Sequence, residues 1–197
     1  MVFMQIIVHQ WAFPGSFDQL DSLPRQELVN DWFGFDVDPA IQFAFATDGA
    51  HLWFLASREA PFTPHPDAKE GVFLSELWKY DVAEWFIAAP DSSLYWEFNL
   101  SPNGAWWACP FADVRKPDPS IPALSGVETK AISNNDSWCA MAKIPLSSLK
   151  GIDIRNSRLA TTYILNTPDQ IFLTSVDELH GNPDFHQPSH FPTSLLK

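Results

Sequence analysis

Two short runs of alternating residues, Val82–Ala88 and Tyr95–Leu100, lie on either side of a polar loop. Successive side chains of a β-strand point to opposite faces of a sheet, so both runs are typical of strands. The loop around Asp91 is rich in turn-forming residues and is short enough to join neighbouring strands. The sequence therefore predicts an antiparallel hairpin, and any fold of this chain must accommodate it.

The predicted hairpin has one polar face and one apolar face. Pairing across the loop places Glu84 beside Asn99. It also places Phe86 beside Glu97, and Tyr95 shares that face. The opposite face is entirely apolar and is predicted to be core; it consists of Trp85, Ile87, Trp96, Phe98 and Leu100.

The rest of the chain also favours strands over helices. Sixteen Phe and nine Trp are typical of β-structure, and 17 Pro and eight Gly indicate many turns. Short candidate strands at regular spacing predict an all-β antiparallel β-sandwich with minor helical turns, formed by residues 1–197 as one domain. The other candidate strands are Met4–His9, Ile41–Ala46, His51–Ser57, Trp138–Ile144 and Leu159–Leu165.

Three segments interrupt the strand pattern. Phe17–Trp32 is compatible with a short helix or with a segment that wraps a sheet edge. Pro110–Ile121 contains three prolines and is predicted to be a loop or an extended edge. Pro145–Leu149 begins with a proline suited to the start of a helix, so one helical turn is expected. Just before the second of these segments, the neighbouring residues Trp106 and Trp107 are expected to point one ring inward and one outward.

The overall charge limits the partners of the protein. A formal net charge of −12 at pH 7 disfavours contact with phosphate backbones and anionic lipids. No segment approaches the roughly 20 apolar residues of a membrane-spanning helix. We therefore expect no nucleic-acid partner and no membrane. The N-terminus lacks the basic region and cleavage site of a signal peptide, which favours a cytoplasmic protein and leaves open a secreted form with its leader removed.

Metal, haem and disulfide chemistry have little support in the sequence. Cys109 and Cys139 lack metal-ligand spacing, and two buried free thiols are expected; a disulfide is the alternative if their segments are neighbours. The spacing of the C-terminal histidines matches no short zinc or copper motif, and Met141 is expected to fill the core rather than to ligate haem. No metal or cofactor is predicted. The other residues concerned are His180, His186, His190, Met1 and Met4.

The polar face of the hairpin has the chemistry of a sugar site. Sugar hydroxyls bond to carboxylates and amides, and sugar C–H faces lie on aromatic rings. The simpler alternative is that Glu84 and Glu97 point to solvent on an amphipathic strand. Hydrolysis is disfavoured, because carboxylates on adjacent strands of a flat sheet give no acid in an apolar pocket opposite a nucleophile. The expected activity is binding without catalysis.

Five segments share their order with the motifs of a known family: Leu77-Trp78, Asp81–Phe86, Tyr95–Gly104, Ala142–Leu149 and Pro183–Pro188. On these segments the chain resembles the family 9 carbohydrate-binding modules and the wider group of DOMON-like domains. The hairpin motif is the most specific of the five, and it is similar to that of stand-alone DOMON-like proteins. The resemblance implies a jelly-roll-like β-sandwich.

The resemblance also implies a set of ligand-binding residues. Trp78 lies six positions before Glu84, which is the spacing of a sugar-stacking Trp and a sugar-binding Glu in the family. A polar group from the next strand would be Glu97 or Asn99. The family's later asparagine corresponds most nearly to Asn166.

One departure from the family concerns the second sugar-stacking tryptophan, which precedes the FHxP ending in sugar-binding members. This chain has no Trp after Trp138, and Phe172 lies near that place as a smaller platform. The expected function is non-catalytic binding of a carbohydrate or a similar neutral polyol. The alternatives are a protein-interaction or structural module, including a homodimer, a haem- or metal-binding redox domain, and a fragment of a carbohydrate-active hydrolase.

Overall fold

The computed structural model describes residues 4–166, 168–177 and 179–197, and its regular structure is mostly β. The strands are β1 (Ile7–Gln10), β2 (Gln26–Asn30), β3 (Asp36–Thr47), β4 (His51–Arg58), β5 (Val82–Ala88), β6 (Tyr95–Leu100), β7 (Trp106–Asp113), β8 (Lys116–Pro117), β9 (Glu128–Ser133), β10 (Trp138–Pro145), β11 (Arg158–Leu165), β12 (Ile171–Thr174) and β13 (Leu195–Leu196). The helical segments are α1 (Phe17–Asp21) and 3-10 turns at Leu77–Lys79, Leu146–Ser148, Ile154–Asn156 and Pro188–His190. In the part of the chain that is described, no helix is long and apolar enough to cross a membrane.

The strands form two sheets that pack face to face as a sandwich. The first sheet has the order β13-β1-β3-β4-β10-β9, and β2 pairs with the first part of β3. The second sheet has the order β12-β11-β5-β6-β7-β8. Pairing between the described strands is antiparallel, except that β1 runs parallel to both of its neighbours. The predicted all-β antiparallel sandwich is confirmed, and the parallel position of β1 is an addition to it.

The central hairpin, β5 and β6, has the strand bounds and the register that the sequence predicts. Glu84 pairs with Asn99, and Phe86 pairs with Glu97. The five residues of the opposite face are fully buried between the sheets, as predicted. Within that core the rings of Trp85 and Phe98 stack at a centroid distance of 5.1 Å.

Segments with weaker sequence patterns differ from the prediction. The first strand begins at Ile7, three residues later than expected, and Phe17–Trp32 contains both the helix α1 and the strand β2. Of the segment Pro110–Ile121, Pro110 and the three residues after it lie in β7 and Lys116–Pro117 forms the edge strand β8, so the extended-edge alternative holds for this part. A proline is tolerated there because β7 has a full-length neighbour on one side and only the two-residue strand β8 on the other. The helical turn expected after Pro145 is present as a 3-10 turn.

The two cysteines are unpaired, and Met141 is part of a hydrophobic cluster. Cys109 lies in β7 and Cys139 in β10, which belong to different sheets, and both are free, half-buried thiols. The disulfide alternative is therefore wrong, and the expectation that both thiols are fully buried is only partly met. Met141 is buried and fills a cluster on the outer face of the first sheet.

Candidate functional site

The polar face of the central hairpin is covered by connecting segments and not by solvent. Leu77, Phe185 and Phe191 pack over it and bury most of the surrounding strand residues. A cleft of about 520 Å³ stays open above strands β5, β6 and β7. That volume lies within the range of about 300–1,000 Å³ that small-molecule sites occupy. Its lining includes Trp78, Glu84, Glu97, Trp107, Phe172 and His186.

Trp78 is held at the cleft by the long connection between β4 and β5. Its neighbour Leu77 is buried and anchors the 3-10 turn, whereas the Trp78 side chain is 52% exposed. The end of the connection is fixed by the buried Asp81, whose carboxylate accepts hydrogen bonds from the backbone N–H groups of Thr63 and Asn166. The Lys79 ammonium lies 5.4 Å from the centroid of the Trp78 ring. The chain thus presents a large aromatic face to solvent at a fixed place.

Further aromatic rings line the cleft. Trp107 is half-buried on β7, while its neighbour Trp106 is buried in the core, so the predicted alternation of the two rings is confirmed. Phe172 on β12 is half-buried, and its ring lies 6.2 Å from that of Phe185. The cleft therefore contains two tryptophans, although the chain has none at the position where the family carries its second.

Two carboxyl groups form the polar floor of the cleft. Glu84 and Glu97 are only 3% and 7% exposed. The Thr162 hydroxyl donates to Glu84 Oε2 over 3.1 Å, and Asn99 Nδ2 donates to Glu97 Oε1 over the same distance. The alternative in which both glutamates point to solvent is wrong, because loops cover this face of the sheet.

Burial makes both carboxyl groups weak acids. Loss of solvent, reinforced by the nearby charge of Glu97, raises the pKa of Glu84 well above its usual value. Burial likewise raises the pKa of Glu97 to about 7, against the opposing effects of the Asn99 hydrogen bond and the Arg115 charge. The cleft therefore does hold carboxylic acids in a largely apolar setting. They lie side by side on one wall, as neighbouring strands require, and do not face each other across the opening.

A chain of hydrogen bonds orients a histidine toward Glu97. The backbone N–H of Arg115 donates to the Tyr95 hydroxyl over 3.0 Å, and that hydroxyl lies 2.7 Å from His186 Nδ1. If Tyr95 donates to Nδ1, the ring proton is on Nε2, which lies 3.6 Å from Glu97 Oε2. Burial and the Arg115 charge lower the pKa of His186 to about 4, so the ring is neutral at pH 7.

The C-terminal segment that carries His186 is tied to the sheet by an ion pair and by ring contacts. Arg115 Nη2 lies 2.7 Å from Asp184 Oδ1. The same oxygen accepts a hydrogen bond from the backbone N–H of His186 over 3.0 Å. The imidazole packs edge-on against Phe86 and Phe111, at centroid distances of 5.4 and 5.2 Å. These contacts close one side of the cleft.

Four of the residues that the sequence singles out line the cleft, namely Trp78, Glu84, Glu97 and Phe172. Asn99 is buried beside Glu97 and acts on the cleft through its hydrogen bond to that carboxyl group. Asn166 lies outside the lining, where its side-chain oxygen accepts from Gln170 Nε2 over 2.9 Å.

Sequence reasoning missed several residues of the cleft. Strand alternation predicts that one of Trp106 and Trp107 points outward, but it assigns neither ring to the site, and the structure places Trp107 in the cleft. His186 lies in the family's FHxP segment, which gave a signal for structure only. Arg115 and Asp184 carry no local signal, since they are 69 residues apart in the chain.

The histidines considered as metal ligands do not cluster in the structure. Among the described residues, no three His, Cys, Asp or Glu side chains are arranged to hold a metal ion. His186 Nδ1 instead bonds to the Tyr95 hydroxyl.

The raised pKa values of the buried carboxyl groups predict that the protein loses stability as the pH rises from about 6.5 through 7. Glu97 gives up its proton near pH 4.5 when unfolded but holds it to about pH 7 when folded, so the folded state binds more protons in between. The free energy of unfolding therefore falls with pH, by at most about 1.4 kcal/mol per pH unit for each proton. The lowered pKa of His186 has the opposite effect on the free energy of unfolding, but only below pH 6.5, where the unfolded imidazole binds a proton that the folded one does not. Urea denaturation at several pH values measures the slope.

Glu97→Gln is the matched variant for the pH dependence of the free energy of unfolding, because the amide does not titrate. We expect a flatter dependence on pH in Glu97→Gln than in the unmodified protein. Glu27→Gln removes an exposed carboxylate on β2 and should leave the slope unchanged. Equal slopes in all three proteins would contradict the assignment to the buried pair.

Comparison with known proteins shows what this fold is similar to. No model of a known protein family matches the sequence, and no curated protein matches it either. A candidate carbohydrate-binding protein from Bacteroides uniformis has a similar structure, with a TM-score of 0.70, 16% identity, and coverage of 98% of this chain and 99% of that one.

Two further similar structures are of a family 9 carbohydrate-binding module from Caldicellulosiruptor kristjanssonii. The complex with glucose has a TM-score of 0.64 and 16% identity, and covers 98% of this chain and 95% of that one. The complex with cellotriose has a TM-score of 0.64 and 14% identity, with coverage of 98% and 93%. This chain has the β-sandwich fold of the family 9 carbohydrate-binding modules over nearly its whole length.

Proposed function

We propose that this protein binds a carbohydrate in the cleft without transforming it. The observation that carries the proposal is that the exposed ring of Trp78 and the buried carboxyl groups of Glu84 and Glu97 line the same opening. An aromatic face can cover the C–H side of a sugar ring, and carboxyl groups can pair with its hydroxyls. The glucose and cellotriose complexes of proteins with the same fold support this assignment.

The proposed roles follow from position. Trp78 stacks on the sugar from the solvent side, and Trp107 and Phe172 supply further apolar contact. Glu84 and Glu97 bond to hydroxyl groups at the floor. Asn99 holds the Glu97 carboxyl in place, and no direct contact between Asn99 or Asn166 and the ligand is proposed.

Binding without catalysis fits the arrangement of the two acids. Glycoside hydrolysis uses carboxyl groups on either side of the bond that is cleaved. Glu84 and Glu97 instead project from neighbouring strands onto the same wall. A sugar lying on that wall meets both groups from one side, which suits recognition of hydroxyls.

Isothermal titration calorimetry with glucose, cellobiose, xylobiose and galactose tests the proposal. We expect saturable binding of at least one of these sugars at micromolar to millimolar concentration, with the sugar recovered unchanged by chromatography. Absence of heat with all four at tens of millimolar would contradict sugar binding. Appearance of a cleaved product would contradict binding without catalysis.

A further inference from the structure

The floor of the cleft carries two carboxyl groups that no cation of the described residues contacts as an ion pair. Among the described residues, no lysine or arginine side chain lies within ion-pair distance of the carboxyl group of Glu84 or of Glu97. Arg115 also lines the cleft, but its guanidinium pairs with Asp184 at 2.7 Å. The contact nearest to an ion pair is His186 at 3.6 Å from Glu97, and that imidazole is neutral near pH 7.

The same carboxyl groups have unused hydrogen-bonding capacity. A carboxylate offers about four acceptor positions. In the described part of the chain, Glu84 receives one hydrogen bond, from Thr162, although the residue is 97% buried and lines the cleft. Glu97 receives one bond shorter than 3.5 Å, from Asn99, whose own buried Oδ1 has no partner among the described residues. The open acceptor positions belong to groups that border the cleft.

An ammonium group matches this floor better than a hydroxyl does. It brings three donors and a positive charge, whereas a hydroxyl brings one donor and no charge. Burial keeps both carboxyl groups largely protonated below about pH 7 in the free protein, and an ammonium group supplies the positive partner that a buried carboxylate needs in order to form. The rings of Trp78 and Trp107 add a surface that attracts cations.

We infer that the preferred ligand of the cleft is a sugar with a free, protonated amino group, bound with its ammonium against Glu84 and Glu97. This inference rests on the proposed carbohydrate binding and narrows it to amino sugars. The rest of the sugar ring lies against Trp78 and Trp107, as in the neutral case. An N-acetylated sugar lacks the charge and carries a bulky group at the same place, so it is excluded from the floor.

Three β-1,4-linked disaccharides that differ only at carbon 2 test the inference. They are cellobiose with a hydroxyl, the glucosamine disaccharide with an ammonium, and the N-acetylglucosamine disaccharide with an acetamide. Calorimetry at about pH 6.5 keeps the amine protonated. We expect the glucosamine disaccharide to bind at least about tenfold more tightly than cellobiose, since hydrogen bonds to charged groups are the stronger ones.

The Glu84→Gln variant tests whether the ammonium binds at the floor of the cleft or is attracted by the negative charge of the whole protein. The ratio of the two affinities, glucosamine disaccharide over cellobiose, should fall toward one in this variant. Glu27→Gln makes the same substitution on β2 in the other sheet and should keep the ratio of the unmodified protein. A ratio that drops equally in both variants, or in neither, would overturn the role of the floor. Urea denaturation confirms that each variant is folded.

The outcomes distinguish this inference from the function on which it rests. Cellobiose binding as tightly as the glucosamine disaccharide overturns the preference for amino sugars and leaves carbohydrate binding standing. Failure of all three disaccharides, together with the neutral sugars tested above, overturns both. Binding of cellobiose together with at least about tenfold tighter binding of the glucosamine disaccharide, and loss of that difference in Glu84→Gln, supports both.

Discussion

Trp85→Ala is expected to lower the free energy of unfolding by about 3–5 kcal/mol, the usual cost of removing a buried tryptophan. The Trp85 side chain is fully buried between the two sheets and stacks on Phe98 at 5.1 Å. Phe98 in turn stacks on Trp106 at 5.9 Å, so the substitution opens a cavity at the end of a continuous row of rings. Urea denaturation followed by circular dichroism measures the loss.

Trp78→Ala is the matched control for stability, since it removes the same side chain from a half-exposed site. We expect a change within about 0.5 kcal/mol, as for most surface substitutions. If Trp85→Ala cost less than about 1 kcal/mol, the packing of the sandwich around Trp85 would be in error.

Trp78→Ala is also expected to weaken sugar binding about 30-fold, which corresponds to the roughly 2 kcal/mol of a dominant aromatic contact. The ring is the exposed aromatic face of the cleft, and its removal takes away the surface on which the sugar would lie. Titration of the variant and of the unmodified protein by calorimetry, with the tightest-binding sugar, gives the ratio.

Phe33→Ala controls for the general loss of an exposed ring. Phe33 is 63% exposed and lies outside the cleft, in the connection between β2 and β3. Its removal should leave the affinity as it was. Unaltered affinity in Trp78→Ala, or equal losses of affinity in both variants, would contradict the proposal that the sugar stacks on Trp78.

The central hairpin could be predicted from sequence because its information is local. Alternation with a period of two fixes the faces of β5 and β6, and the short loop between them fixes the register. The pairing of Glu84 with Asn99 and of Phe86 with Glu97 follows from these two facts alone. The opposite directions of Trp106 and Trp107 follow from the same rule, although the rule does not say which ring points outward.

The cover over the polar face could not be predicted in this way. It depends on contacts between residues far apart in the sequence, such as Tyr95 with His186 and Arg115 with Asp184, which are 91 and 69 residues apart. No periodic pattern encodes such contacts. The sequence could therefore identify Glu84 and Glu97 as neighbours, but it could not decide whether they face water or a cleft.

The short edge strands were also beyond sequence patterns. β8 and β13 have two residues each, too few to show alternation. The parallel pairing of β1 with β13 and with β3 joins segments from both ends of the chain. Such pairings depend on contacts between distant segments, which a local pattern does not encode.

The most direct test of sugar binding in this cleft is the response of the tryptophan indole N–H signals in a nitrogen-15 correlation spectrum. At saturating cellobiose, or the glucosamine disaccharide, the signals of Trp78 and Trp107 should shift, whereas those of the core residues Trp85 and Trp138 should stay in place. Unshifted Trp78 and Trp107 signals, or shifts only at tryptophans outside the cleft, would contradict the account.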